Sequence, residues 1–495
     1  MTESASLPVC RTAEIRALEA EAAGRQPEPP LMERAGLAAA ELARSILADG
    51  QRVLVVAGPG NNGGDGFVVA RHLKSWWYTV TVLFTGSEHK LAPDAAAALA
   101  AWRSVGGTTT DRWPQDMQPD LIVDALFGIG LERPLEGAMA DLVMRMNGSG
   151  VAVLALDVPS GLHADTGRVL GIAVEADHTA TFIALKPGLL TLDGPDHAGE
   201  LHVFDLGLDG PGSQSGHLLD LSILQTALPP RRNNTHKGSL GNAGIIGGAD
   251  GMVGAALLAG RAALKLGAGR AFVGCLSGAS VDAAQPELML RPAADLVALD
   301  GLSVLAVGPG LGPSDAARTL VTSAIGRDVP LLLDADALNL VAADPRLAEE
   351  VARRSGDTLL TPHPAEAARL LGCTTAEVQS DRIANALLLA ERYHAAVVLK
   401  GAGSVCALPD GRWFINPSGN PGLASAGMGD VLAGIVAALV AQGCPPVTAL
   451  LAGVHLHGLA GDRLREAIGG PVGITASEVT DAARAILNEA IYPAD

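Results

Sequence analysis

Arg52–Gly66 reads RVLVVAGPGNNGGDG. The first six residues form an almost unbroken aliphatic run, and the chain then passes into a segment dense in glycine and asparagine. A strand without apolar–polar alternation is covered on both faces, which is the habit of parallel sheets. The following Phe67–Lys74 (FVVARHLK) reads as a helix. A glycine-rich turn between a strand and a helix exposes backbone N–H groups beside the positive end of the helix dipole. Such a turn can cradle a pyrophosphate. The segment is not a clean GxGxxG, and a plain tight turn explains the local pattern equally well.

The same alternation extends outward. Thr79–Phe84, Asp120–Asp124 and Val151–Asp157 read as further strands, Pro93–Arg103 as a helix, and Thr179–Leu185 and Glu200–Leu206 as closing strands. Gly207–Gly216 (GLDGPGSQSG) is small and polar and reads as a linker. Alternation then restarts, with strands expected at Ala243–Ile246, Leu302–Val307, Leu331–Asp334, Thr358–Leu360 and Ala396–Leu399. Pro409-Asp410-Gly411 between Val405–Leu408 and Trp413–Ile415 predicts a hairpin. A chain of 495 residues exceeds one ordinary core, so two α/β domains are expected, 1–212 and 217–495.

Composition narrows the function. Hydrophobic residues make up 48% and aromatics only 3%, so the cores must be aliphatic. A formal charge of −18 argues against a nucleic-acid partner. The five cysteines (Cys10, Cys275, Cys373, Cys406, Cys444) show no CxxC spacing, which points to a reducing compartment. The N-terminal MTESASLPVCRTAEIRALEA has no basic region followed by an apolar run, and the apolar Val431–Val440 is too short to span a bilayer. A cytoplasmic protein with no membrane partner is expected.

In the first half, three polar loops fall at expected strand ends. These are the glycine-rich segment, Asp124 with DALFGIG, and Asp157 with DVPSG. Ligands of open α/β sheets bind beyond the carboxyl ends of strands, so the three loops describe one site. Its carboxylate, amide and hydroxyl oxygens suit an alkali or alkaline-earth cation. Turn capping by Asp124 and Asp157 is the alternative. In order, LMERAG (Leu31–Gly36), NNGGDG (Asn61–Gly66), DALFGIG (Asp124–Gly130), DVPSG (Asp157–Gly161) and ALKPGLL (Ala184–Leu190) resemble the NAD(P)H-hydrate epimerase family, which has a Rossmann-like three-layer fold. The resemblance implies that Asn61, Asn62, Gly63, Gly64 and Asp65, with Gly128, Ile129, Gly130, Leu131, Glu132, Arg133 and Pro134, contact a hydrated dinucleotide. It implies potassium at Asn62, Asp124 and Ser160, and Asp157 as substrate ligand and catalytic acid or base. Trp76-Trp77-Tyr78 departs from the small residues usual there, which is expected to alter a surface and not the site.

In the second half, Gly427-Met428-Gly429-Asp430 precedes VLAGIVAALVAQG, whose apolar positions 431, 432, 435, 436, 439 and 440 mark one buried helix face. The glycines then lie at a helix N-terminus, where N–H groups can hold a phosphoryl group beside Asp430 as base. A simple capped helix is the alternative. NTHKG (Asn234–Gly238), GMVGAALLAGRAALKLGAG (Gly251–Gly269), GPGLG (Gly308–Gly312), DADALN (Asp334–Asn339), TPHPAE (Thr361–Glu366), KGAGS (Lys400–Ser404) and GMGD resemble, in order, the ADP/ATP-dependent NAD(P)H-hydrate dehydratase family of the ribokinase-like superfamily. The resemblance implies nucleotide contacts from Lys400, Gly401, Ala402, Gly403, Ser404 and Gly429. Ala255, Gly312, His363 and Asp430 would contact the hydrated substrate, with Asp430 catalytic. Taken alone, His363 reads as a core histidine with its bonds satisfied. Asp334 and Asp336 read either as magnesium-associated or as helix caps.

Together the resemblances imply repair of hydrated NADH and NADPH. One half would interconvert the two epimers, and the other would dehydrate the S form with ADP or ATP, Mg2+ and K+. A homo-oligomer is also implied. The competing reading is a ribokinase-like small-molecule kinase behind a dinucleotide-binding scaffold.

Overall fold

The computed structural model describes residues 7–25, 28–48, 51–208 and 216–493. The chain folds as two compact units, Leu7–Gly216 and His217–Asp495. Residues 209–215 of the expected linker lie outside the described residues.

The sheet of the first unit contains β1 (Arg52–Ala57), β2 (Thr79–Phe84), β3 (Thr109–Thr110), β4 (Leu121–Ala125), β5 (Val153–Leu156), β6 (His178–Phe182) and β7 (Glu200–Phe204). Their order is β3-β2-β1-β4-β5-β6-β7, and every neighbouring pair is parallel. The order reverses between β1 and β4, so a crevice opens beyond Ala57 and Ala125, where a ligand is expected in such sheets. The β1 strand is buried from Val53 to Ala57, which accounts for its almost unbroken aliphatic run. Two expected strands end early for one reason. Asp157 (φ 66°) follows β5 and Ile183 (φ 70°) follows β6, and both are left-handed conformations that break the extended chain.

The glycine-rich segment departs from expectation. It is not a loop before a helix, because the helix itself spans Asn61–Ser75 with Gly60 at its N-cap. Gly58, Gly63 and Gly66 are not among the left-handed residues. They permit close approach instead. A Cβ on Gly63 would lie 2.0 Å from the Gly58 carbonyl oxygen, one on Gly58 1.9 Å from the Leu126 oxygen, and one on Gly66 2.6 Å from the Ala125 Cβ.

The sheet of the second unit contains β8 (Gly216–Leu218), β9 (Asn242–Gly247), β10 (Arg270–Cys275), β11 (Met289–Pro292), β12 (Val304–Val307), β13 (Leu331–Leu333), β14 (Thr358–Leu360), β15 (Ala396–Leu399), β16 (Ser404–Ala407) and β17 (Trp413–Asn416). These run in the order β8-β17-β16-β15-β14-β13-β12-β9-β10-β11. The run from β15 through β11 is parallel, and β15, β16 and β17 pair antiparallel, so the predicted hairpin is present. The helix Met428–Ala441 is buried at Met428 and from Val431 through Ala441, not on one face alone. It packs against helix Val253–Lys265 so closely that a Cβ on Gly434 would sit 2.2 Å from the Ala259 oxygen. Among the described residues, no helix is long and apolar enough to cross a membrane.

Candidate active sites

In the first unit the chain ends of β1, β4 and β5 border a cavity of about 850 Å³. Asn61, Asn62, Asp65, Gly128, Ile129, Gly130, Leu131 and Asp157 line it. The other expected substrate contacts do not. Gly63 and Gly64 are packing positions, a Cβ on Gly64 falling 2.6 Å from the Met32 Cε. Glu132, Arg133 and Pro134 are exposed beyond the rim, and Glu132 faces His163 at 3.5 Å.

Asp157 is the most tightly held carboxylate of the cavity. Its Oδ1 pairs with the Lys186 ammonium at 2.5 Å, and its Oδ2 accepts from the Ile129 N–H at 3.1 Å. Lys186 is wholly buried and also donates to Thr181 Oγ1 (2.9 Å) and the Phe182 carbonyl (2.7 Å), which uses all three of its protons. Two more carboxylates share this one positive charge. Burial, Asp157 and Glu19 push Asp65 well above the usual carboxylate range, and burial followed by Asp157 pushes Glu19 up. The cavity therefore holds two carboxyl groups whose proton affinity is raised above that of a free carboxylate. Lys186 and Glu19 were missed as site residues in the sequence. Lys186 lies inside the quoted ALKPGLL, but nothing in its spacing tells a buried lysine from an exposed one.

Asp124 lies behind the cavity wall and is fully buried. Its Oδ1 accepts from Ser160 Oγ (2.7 Å) and the Leu126 N–H (3.2 Å), and its Oδ2 accepts from the Ser160 N–H (2.8 Å). Burial nevertheless raises it to about 6. Both polar atoms of the buried Asn62 amide lack a partner. A Cβ on Gly128 would meet that amide at 3.4 Å and Asp157 Oδ2 at 2.7 Å, so the turn after β4 tolerates no side chain.

The second unit gathers its polar groups beyond β13, β14 and β15. Asp334 Oδ1 accepts from Thr361 Oγ1 (2.7 Å) and from the Lys400 ammonium (3.0 Å). Asp336 Oδ2 accepts from the Gly312 N–H at 2.8 Å. Asp334 makes no side-chain cap bond to the helix that follows it, so the cap expectation for this carboxylate is corrected, and Asp336 holds the GPGLG turn instead. Gly429 lies in the first turn of its helix, and a Cβ there would approach Lys400 Nζ at 3.3 Å. Asp430 has no comparable ion-pair partner at bonding distance among the described residues. Burial first, then Asp334, raise it to about 6 against the opposing pull of Lys400. Burial favours a neutral Lys400, yet Asp334, Glu366 and Asp430 outweigh it and raise the ammonium.

His363 is not a core histidine. Its side chain is 47% exposed, and its Nδ1 accepts from the Ala365 and Glu366 N–H groups to cap helix Pro364–Leu371. Capping needs a side-chain acceptor at the helix start, and here the imidazole nitrogen stands where a hydroxyl or carboxylate oxygen is usual. Below the KGAGS turn, Arg382 is buried and donates to the Leu399 and Gly403 carbonyls. His457 is likewise buried, with Nε2 unpartnered, and burial followed by Lys400 lowers it to about 4. Neither residue belongs to a motif that stood out in the sequence.

The two units also match known proteins in sequence. The family model for YjeF-related protein N-terminus matches residues 28–188, and that for NAD(P)H-hydrate dehydratase matches residues 243–484. A bifunctional NAD(P)H-hydrate repair enzyme of Escherichia coli (strain K12) is 42% identical over 474 residues, covering 92% of this chain and 89% of that one. The chain belongs to the family of bifunctional NAD(P)H-hydrate repair enzymes. A family member from Thermofilum pendens is 40% identical over 92% of both chains. A ribokinase-like superfamily protein from Enterococcus faecalis V583 matches 58% of this chain and 99% of its own, with 24% identity and a TM-score of 0.50, which speaks for the fold alone. Membership in the repair family gives both sites a place in one pathway and leaves the kinase-with-scaffold alternative without support.

Proposed function

We propose that this chain repairs hydrated NADH and NADPH, with epimerisation in the first unit and nucleotide-dependent dehydration of the S form in the second. The observation that carries this reading is that one chain, related along 92% of its length to bifunctional repair enzymes, keeps a full set of chemical groups in both units. In the first unit Asp157 is the proton-transferring group, and Lys186 fixes its position and charge. Asn61, Asp65 and Gly128–Leu131 form the wall against the hydrated ring and its pyrophosphate.

Asn62, Asp124 and Ser160 fit a potassium ion. The fit rests on the orphaned, buried Asn62 amide and on a buried carboxylate that needs a positive charge nearby to stay ionised. Bound there, the ion would supply a fixed positive charge for an anionic substrate.

In the second unit, hydroxide on the hydrated ring is a poor leaving group, and phosphorylation makes it a good one. Asp430 takes the hydroxyl proton as the nucleotide phosphoryl is transferred, and the N-terminus of helix Met428–Ala441 stabilises the transferring charge. Loss of the phosphate, with a proton from the neighbouring carbon, restores the reduced ring. Lys400–Ser404 and Gly429 hold ADP or ATP. Ala255, Gly312 and His363 face the substrate. Asp334 and Asp336 supply hard oxygen ligands suited to Mg2+, which neutralises phosphate charge when bound. Free thiols at Cys275, Cys373, Cys406 and Cys444 suit a reducing compartment such as the cytoplasm. The direct test follows reduced-nicotinamide absorbance on incubation with mixed NADHX epimers and ADP or ATP. Recovery that needs the nucleotide and consumes it stoichiometrically supports the reading; a stable phosphorylated product refutes it.

A further inference from the structure

On the last two strands of the first unit, three side chains converge away from the cavity. His178 opens β6 and is paired in register with Glu200, the first residue of β7. His202 stands two residues further along β7, so it shares a sheet face with Glu200. His178 Nδ1 and His202 Nε2 face each other at 3.3 Å. The Glu200 carboxylate reaches the same two nitrogens, Oε2 to His178 at 3.5 Å and Oε1 to His202 at 3.9 Å. All three ligand atoms lie within 4.8 Å of one another.

Hydrogen bonds satisfy only part of this arrangement. With both rings neutral, one N–H bonds the two facing nitrogens, and no proton is left between them for the carboxylate beside them. A cation shared by all three gives the carboxylate and both nitrogens one common partner. The spacing fits one as well. Bonds of about 2.0–2.2 Å in a tetrahedral zinc site separate ligand atoms by roughly 3.3–3.5 Å. The separation between the two ring nitrogens and that from His178 to Glu200 Oε2 fall in that range, and His202 lies nearest to the other carboxylate oxygen, Oε1, at 3.9 Å. The Glu200 side chain is 67% exposed and has room to turn one oxygen toward both rings. Both histidine side chains are 24% exposed, so an ion and a completing water can enter.

We propose that His178, Glu200 and His202 form a binding site for a transition-metal dication of the zinc class, separate from both active sites. Imidazole nitrogens select zinc, nickel, cobalt or copper over the hard magnesium and potassium ions. The ion ties the edge strand β7 to β6 at the start of both strands. The effect reaches the site through β6, which accepts the Asp157 N–H at the Ala180 carbonyl (2.7 Å) and the Lys186 ammonium at the Phe182 carbonyl (2.7 Å).

The test uses the full chain after chelation and dialysis, titrated with Zn2+ by calorimetry and with Co2+ by visible absorption. The wild type is expected to take up one more equivalent of Zn2+ than the variant His178→Ala/His202→Ala, and to show cobalt d–d bands that the variant lacks. Glu200→Gln, which keeps both rings, is expected to weaken zinc at least tenfold while leaving circular dichroism unchanged. Mg2+ and K+ are expected to bind the wild type and the double variant equally. The proposal is overturned if the wild type binds no zinc, or if the double variant binds zinc with the same stoichiometry and affinity.

Discussion

The first turns of the two sites use glycines of different kinds, although Gly161 (φ 100°) beside Ser160 in the first unit is left-handed too. Around the first cavity, Gly58, Gly63 and Gly66 keep ordinary backbone angles and serve only to let a helix press against strand and turn. Around the second site, Gly308 (φ 135°), Gly312 (φ 73°), Gly401 (φ 147°) and Gly427 (φ 88°) occupy left-handed conformations that turn the chain beyond the strand ends. The carboxylates differ in parallel. Asp157 is locked to a wholly buried lysine, whereas Asp430 stands beside a lysine already committed to Asp334. A locked pair suits a site where one group works on both faces of a substrate. A carboxylate with a raised proton affinity suits a base that must collect one proton per turnover.

The sharpest way to separate the units is Asp430→Asn. Dehydration is expected to fall by about 10²–10⁴-fold, the usual worth of a general base, with epimerisation unchanged. Loss of both activities in a folded variant would deny the separation. Next in size is Lys186→Met, which strands Asp157 without its partner. Removing one member of a buried pair costs about 3–5 kcal/mol, so denaturant melts should show the first unit destabilised and epimerisation lost. The same change at Lys400, whose side chain is 22% exposed, should cost less stability and chiefly weaken nucleotide binding.

The glycine contrast predicts smaller effects. Gly63→Ala forces a Cβ against a carbonyl and should cost about 1–3 kcal/mol by overpacking. Gly312→Ala has space, its nearest neighbour being 3.5 Å away, and should cost only the left-handed penalty of about 1–2 kcal/mol. Equal losses in thermal melts would erase the distinction.

The smallest effect is in pH. As the proposed base, Asp430 must be ionised to act, so kcat for dehydration should fall about tenfold per pH unit below its value of about 6. Because its folded value is raised, its contribution to stability runs the other way. That contribution is full below the ordinary 3.8 and is lost as pH rises through about 6. A pH–rate profile flat down to pH 4 would remove Asp430 as the base.

Much of this was legible in the sequence, and the misses have physical causes. Strands β1 and β4 are buried on both faces, so their aliphatic runs stand out. Strand β10 (RAFVGC) escaped because Ala271 and Gly274 dilute its apolar signal, and Gly274 is small to admit Ala293, whose Cα lies 3.0 Å from a Cβ built there. Strand β11 escaped because three of its four residues are exposed. Asp124, Asp157 and Asp430 announced themselves by standing at strand ends or in a glycine motif. Lys186 and His457 did not, because what distinguishes them is burial beside a charge from a distant segment, and Glu19 did not because it reaches the cavity rim only in the folded chain; no local pattern records either.

The central claim is that two chemically distinct sites on one chain complete one repair. It is tested most directly with full-length wild type and full-length Asp157→Asn, each given mixed NADHX epimers and saturating nucleotide while reduced-nicotinamide absorbance is followed. The wild type should restore nearly the whole pool. The variant should restore one epimer at the wild-type rate and then stall, apart from slow spontaneous epimerisation, because in-line phosphoryl transfer to Asp430's hydroxyl partner tolerates only one configuration. Consumption of both epimers by the variant at equal rates would contradict the account.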